Sequence, residues 1–288
     1  MVNLYPQLIK IPAFMTKFID INNLNILKKL LLILKGKLTI FILSNSSKKI
    51  ICFYLNNFFS FQGKIKHDEN NFIKIVGSQK IYYPNERITR ILINEVEFLE
   101  HIYDSYMLNQ IKFHKRDVVV DCGANVGELY LAFQNKNIEI SYFGVEPDKD
   151  AFFCLNKNTK TDNLNICLSD KAGVVDFFID GLGANSSIHK SKSTYDKVSI
   201  NSDTLNNKFI NKKIKLLKID AEGHELEVLK GGSEVLSNIQ YISVDCGPEK
   251  GESESITFLD VNNYLSKNGF KLIGINKDRL IGLYKNVR

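Results

Sequence analysis

Apolar residues fall into three patterns along this 288-residue chain. In the first, Leu24, Leu27, Leu31, Leu34 and Leu38 recur in steps of three and four, the spacing of one helical face. The lysines between them mostly lie elsewhere on the helix. The preferred reading packs this helix against the rest of the protein or a partner, because one leucine stripe is a weak signal. The other reading is a basic amphipathic helix over residues 24–43 lying on the inner membrane surface. Residues 44–47 (Ser-Asn-Ser-Ser) end the pattern, and the apolar, aromatic run at 50–61 has no decisive period.

The second pattern covers residues 71–115. Phe72 to Val76 and Lys80 to Tyr83 flank Gly77-Ser78, which predicts a β-hairpin. Ile93, Val96, Phe98, Leu99, Ile102 and Tyr103 then predict a helix ending near Leu108. From residue 116 the pattern becomes regular. Strands are predicted at 118–120, 138–145, 164–168, 174–179, 214–219 and 241–244, alternating with helices at 126–134, 151–155, 224–229 and 256–265. Such alternation implies an α/β fold with a parallel sheet and right-handed crossovers. Two last strands, 270–275 and 280–284, are joined too closely for a crossover, so the final one is expected antiparallel. Residues 1–70 form an N-terminal mixed extension of unknown role, 71–115 a hairpin-and-helix lead-in, and 116–288 the main domain.

Composition narrows the class. Hydrophobic residues make up 44% and charged residues 24%, as in ordinary globular proteins. The net charge of +6 comes from 38 basic and 32 acidic residues, a balance that demands no nucleic acid. Five cysteines without C-x-x-C spacing argue against disulfide scaffolds and cysteine-based zinc sites, and fit a reducing, cytoplasmic setting. Pro6 and Pro12 interrupt the N-terminus, which carries no signal-peptide pattern. Four lysines oppose insertion of the apolar run at 26–43 across a bilayer.

Chemistry concentrates at 120–127, Val-Asp-Cys-Gly-Ala-Asn-Val-Gly, between a strand and a helix. Gly123 and Gly127 allow a tight turn and a close approach to a ligand, whose polar end helix amides could meet. The next strand ends in Val145-Glu146-Pro147-Asp148. Glu146 follows the loop by roughly 20–25 residues, as in nucleotide-binding βαβ units, and can accept hydrogen bonds from a ribose diol. Such a unit suits NAD or S-adenosylmethionine. Asp121 favours the second, since a carboxylate against the loop repels a pyrophosphate and attracts a sulfonium and an ammonium. Asn125 stands where the middle glycine of G-x-G-x-x-G would be, and no G-K-[ST] is present.

Those stretches, with Leu-Ser-Asp-Lys-Ala-Gly at 168–173 and Lys-Ile-Asp-Ala-Glu-Gly-His-Glu at 218–225, resemble the FkbM family of S-adenosylmethionine-dependent methyltransferases over residues 90–285. The resemblance implies a Rossmann-like seven-stranded methyltransferase sheet with one antiparallel strand. It implies cofactor contacts at Asp121, Gly123, Asn125, Gly127 and Glu146, with Ser169 and Asp170 near the adenine and Asp220 near the methyl group. It also implies an acceptor hydroxyl on a glycan, glycolipid or nucleotide sugar, and serines such as Ser186 and Ser187 facing the site. Cys122 departs from the family's usual branched aliphatic residue, and Asp245 stands where many members carry glutamate.

A hydroxyl acceptor must lose a proton, and Asp220, Glu222, His224 and Asp245 lie where strands end. Glu222 could instead cap the following helix, and His224 could be an ordinary polar residue of its first turn. Glu225 and Glu227 are expected to be solvated. Carboxylates around one pocket could bind Mg²⁺, but no spacing requires a metal and none is assigned. The remaining alternatives are an NAD-dependent oxidoreductase and a non-catalytic nucleotide-binding module.

Overall fold

The structure is a computed structural model that describes residues 8, 10–17, 19–180, 195–251 and 255–288. Ser186 and Ser187 lie outside the described residues. The chain divides into two compact units, Met1–Glu95 and Val96–Arg288.

In the first unit, helix α1 (Ile26–Asn45) starts where the Asn25 side chain accepts from the Lys28 amide at 2.9 Å. It is followed by α2 (Lys48–Phe58). A hydroxyl contact of 2.8 Å between Thr39 and Tyr54 ties the two. Strands β1 (Lys64–His67), β2 (Phe72–Val76) and β3 (Gln79–Tyr83) form an antiparallel sheet in that order. The hairpin turns at Gly77-Ser78 as its sequence predicts. The expected boundary near residue 70 runs through this sheet, between the paired strands β1 and β2. Lys74 is buried yet satisfied, donating to the carbonyls of Ile91 and Leu92 and paired with Glu95 at 2.5 Å.

Helix α1 corrects the preferred expectation for the leucine stripe. Its inward residues are Ile33, Gly36 and Thr39, while Leu27, Leu31, Leu34 and Leu38 are exposed. Gly36 shows why the opposite face goes in: a Cβ there would come within 2.8 Å of Ile11.

The second unit opens with α3 (Glu95–Ser105) and continues through β4 (Asp117–Cys122), α4 (Glu128–Asn135), β5 (Ile140–Val145) and α5 (Lys149–Thr159). Next come β6 (Cys167–Leu168), β7 (Gly173–Asp180), β8 (Tyr195–Asp203), α6 (Leu205–Phe209), β9 (Ile214–Ile219) and α7 (Glu225–Lys230). The chain ends with β10 (Ile239–Asp245), β11 (Pro248–Lys250), β12 (Ser255–Ile256), α8 (Phe258–Lys267), β13 (Phe270–Asn276) and β14 (Ile281–Asn286). The main sheet runs β13-β14-β10-β9-β4-β5. Only β14 is reversed, antiparallel to both neighbours, as the short final connection requires. Val120, Leu217, Ile219, Ile242 and Val244 are fully or nearly fully buried in its core.

The sheet has six strands among the described residues, where seven were expected. The segment at 164–168 touches β5 only through a bridge between Leu164 and Val145, and Cys167–Leu168 pairs with β8 instead. The cause is local. The Asn165 side chain donates to the Glu146 and Pro147 carbonyls at 2.8 and 3.0 Å, and the Asp148 amide donates to the Glu146 carboxylate at 2.9 Å. Groups that would have extended the ladder are thus already engaged.

Candidate active site

The glycine loop is set by contact between two strand tips. Gly123 has φ +74°, and a Cβ on it would lie 1.9 Å from the Asp220 carbonyl oxygen. The Asp220 amide donates to the Cys122 carbonyl at 3.1 Å, so the ends of β4 and β9 are joined backbone to backbone. Asn125 (φ +49°) and Gly127 (φ +87°) continue the left-handed turn into α4. The loop is also tied to β5: the Asn125 amide donates to Glu146 Oε2 at 2.7 Å. Glu146 is buried, and burial pushes its carboxyl up to about 7 against the pull of the Asp148 and Asn125 amides. The structure therefore brings Asp121, Gly123, Asn125, Gly127 and Glu146 together.

Asp121 departs furthest from its expected surroundings. It is 1% exposed. Tyr142 donates to its Oδ2 at 2.5 Å, and the buried Lys218 ammonium lies 2.9 Å from its Oδ1. Lys218 also donates to the Gly123 carbonyl at 2.8 Å. Burial alone would lower the Lys218 pKa, but Asp121 and Asp220 hold it above its ordinary value. The charge of Asp121 is matched inside the protein and stiffens the loop from below.

The expected substrate-side acids do converge. Tyr106 Oη donates to Asp220 Oδ2 at 2.5 Å, and Arg279 reaches Asp245 Oδ2 at 2.6 Å and Asp220 Oδ2 at 3.4 Å. The Gly247 amide donates to Asp245 Oδ1 at 3.1 Å. Glu222 sits at φ +50° in the turn after β9. Gly223 beside it packs so closely that a Cβ would be 2.6 Å from Lys250 Cα, which brings β11 and Glu249 against the acids. One carboxylate oxygen each of Asp220, Glu222 and Glu249 lies within 4.8 Å of the others, so these three could hold a cation. Burial, then the charges of Asp220, Glu249 and Asp245, lift Glu222 to about 10. Burial, then the charges of Asp220, Asp245 and Glu225, lift Glu249 to about 8, and burial followed by Asp220 lifts Asp245 to about 6 although Arg279 opposes the shift.

His224 Nε2 lies 3.0 Å from the Ser169 hydroxyl, beside Asp170, at the tip of β6, and its Nδ1 lies 3.7 Å from Glu227 Oε2. One sequence expectation changes. Glu225 is not solvated. It is 1% exposed, accepts from the Ala221 and Gly223 amides at 3.2 and 2.9 Å, and accepts from the Thr257 hydroxyl at 3.0 Å. It shapes the turn that carries Glu222. Tyr106, Tyr142, Lys218, Glu249 and Arg279 escaped sequence reasoning. The alternation of lysine with apolar residues at 214–219 gives Lys218 the look of a solvated strand position, and the others sit in segments without a motif.

A family model described as "Methyltransferase FkbM domain" matches residues 121–272. The hexuronic acid methyltransferase AglP of Haloferax volcanii is 30% identical over 136 residues, covering 45% of this chain and 55% of that protein. The chain thus spans about half the length of the curated relative it matches. Among solved structures, a SAM-dependent methyltransferase from Aquifex aeolicus aligns at a TM-score of 0.39 and 13% identity, covering 66% of this chain and 96% of that one. A ribosomal protein L11 methylase from Lactobacillus delbrueckii subsp. bulgaricus aligns at 0.37 and 14%, covering 67% and 79%. Likenesses at these scores decide nothing about the reaction.

Proposed function

Because the chain belongs to the methyltransferase FkbM domain family, we propose that it is an O-methyltransferase that uses S-adenosylmethionine to methylate a sugar hydroxyl on a glycan, glycolipid or nucleotide sugar. The observation that carries the cofactor is the crowd of acids beside the glycine loop. Asp220, Glu222, Asp245 and Glu249 face Arg279 and a lysine already shared with Asp121. Burial first, and then the acids' mutual repulsion, raise the pKa values of Glu222, Asp245 and Glu249, and that repulsion supports a negative potential in the pocket. That potential suits a sulfonium and opposes a diphosphate, so nothing favours the dinucleotide reading.

The residues fit the cofactor by their chemistry. Glu146 would accept from the ribose, the backbone at Gly123 to Gly127 would lie against the ligand, and Ser169 and Asp170 would border the adenine. When bound, S-adenosylmethionine supplies a methyl group activated by its sulfonium. The chain must then orient an acceptor hydroxyl and take its proton. Glu222 holds its own proton at neutral pH, and both oxygens of Asp245 are engaged. Glu249 has a buried Oε2 with no hydrogen bond among the described residues, and its carboxyl is lifted less far than that of Glu222, so it is the acid of the two that ionises first as pH rises above neutral. We assign Glu249 as proton acceptor, with Asp220, Asp245, Tyr106 and Arg279 positioning the acceptor side.

The sugar class is supported by the printed name of the Haloferax volcanii relative. A mass-shift screen of hexuronic-acid glycans and nucleotide sugars with S-adenosylmethionine tests it: a gain of one methyl on a sugar is expected, and methylation of non-sugar acceptors alone would refute the class. A cation on Asp220, Glu222 and Glu249 is the specific alternative to a free Glu249. Activity abolished by EDTA and restored by Mg²⁺ would favour it.

A further inference from the structure

The exposed face of α1 carries an arrangement that the proposed reaction does not use. Leu27, Leu30, Leu31, Leu34, Leu38 and Phe41 form one stripe along the helix, with Leu27 67%, Leu34 64% and Phe41 63% exposed. The inward residues Ile33, Gly36 and Thr39 lie opposite. In helical projection the exposed Lys28 borders one side of the stripe and the exposed Lys37 the other. Long lysine stems on both rims of an apolar band can lie along it while their ammonium groups reach outward.

Charge is segregated to match. Residues 21–67 contain eight lysines and no aspartate or glutamate. The rest of the chain carries 30 basic and 32 acidic residues, so the whole excess of +6 resides in this segment. Among the described residues no helix is long and apolar enough to cross a membrane. A second copy of the chain is a poor occupant, because a symmetric contact through this face would set lysine rim against lysine rim.

We propose that α1 is a docking surface for an anionic lipid bilayer, lying in the interface with its leucine stripe among the acyl chains and its lysines among the headgroups. This does not rest on the methyltransferase reading.

The chain has no tryptophan, so Leu34→Trp places a single reporter in the stripe. Its emission should shift to the blue with vesicles of phosphatidylglycerol and phosphatidylcholine, far less with phosphatidylcholine alone, and less again in high salt. Val174→Trp, at an exposed position on β7, should not shift. In sedimentation with the same anionic vesicles, the full-length double variant Leu27→Glu/Phe41→Glu should bind at least roughly tenfold more weakly than wild type, with unchanged circular dichroism since both positions are exposed. An unshifted Leu34→Trp spectrum, or wild-type vesicle binding by the double variant, overturns the proposal. So does self-association without lipid that the double variant abolishes, which would give the face to a second copy.

Discussion

Two strand tips sit side by side, each with an aspartate within one residue of its end, and the two aspartates have different surroundings. At the end of β4, Asp121 is sealed from solvent and matched by Lys218 and Tyr142. Just past the end of β9, Asp220 joins Glu222, Asp245 and Glu249, with Arg279 shared between Asp220 and Asp245. A matched buried charge builds a scaffold. Carboxylates gathered close together raise one another's pKa values instead. The acid nearest the glycine loop is thus held from within the protein, and we propose that the attraction for a cationic donor comes from the acids further along the chain.

The sharpest way to break this contrast is to unmatch the first tip. Lys218→Met should cost about 3–5 kcal/mol of stability in urea denaturation, because it strands a buried carboxylate. Asp121→Asn/Lys218→Met should recover part of the loss. A Lys218→Met variant as stable as wild type would return Asp121 to the ligand side. The second tip should respond in turnover instead: Glu249→Gln should lower kcat by about a hundredfold or more, within the range for a general base, while S-adenosylhomocysteine affinity in calorimetry stays within about twofold. Equal losses in both would move Glu249 into cofactor binding. Glu146→Ala should weaken S-adenosylhomocysteine by about tenfold, roughly 1.4 kcal/mol, the scale of a hydrogen bond to a charged group.

The most gradual effect concerns pH. The folded pKa values of Glu225 and Glu146 are raised from 4.5 to about 7, in both cases first by burial. The folded state therefore binds their protons more tightly than the unfolded state does. This contribution to stability is full below pH 4.5 and is lost as pH climbs to about 7. Glu225→Gln should flatten the fall of melting temperature across that window, its share being below about 1.4 kcal/mol per pH unit. An unaltered slope would show that Glu225 titrates as an ordinary surface acid.

The sequence shows much of this arrangement because strand tips and tight turns are local events. The run Val118 to Val120 followed by Gly123 announces β4 and its loop, and the acids at 121, 146, 220 and 245 each follow an apolar stretch. What pairs with them is not local. Tyr106 meets Asp220 across 114 residues of chain, and Arg279 reaches Asp245 across 34. Periodicity gives no sign of such partners, and a lysine alternating with apolar residues has the same pattern whether buried, like Lys218, or solvated. Helix α1 shows a second limit. Its apolar residues are legible, but a helix apolar on more than one side does not state which side faces in; that was decided by the small Gly36 against Ile11. The sheet edge shows a third, since the side chains of Asn165 and Glu146 intercept a ladder that the apolar run at 164–168 would otherwise extend.

The backbone contact at Gly123 has a bearing on how this chain could diverge. With the Asp220 carbonyl 1.9 Å from where a β-carbon would stand, even alanine at 123 forces one strand tip away from the other. Descendants can retune the pocket by changing its acids or the far loops, one at a time. They cannot drift through this position, so the spacing between the two halves of the pocket is inherited whole or lost.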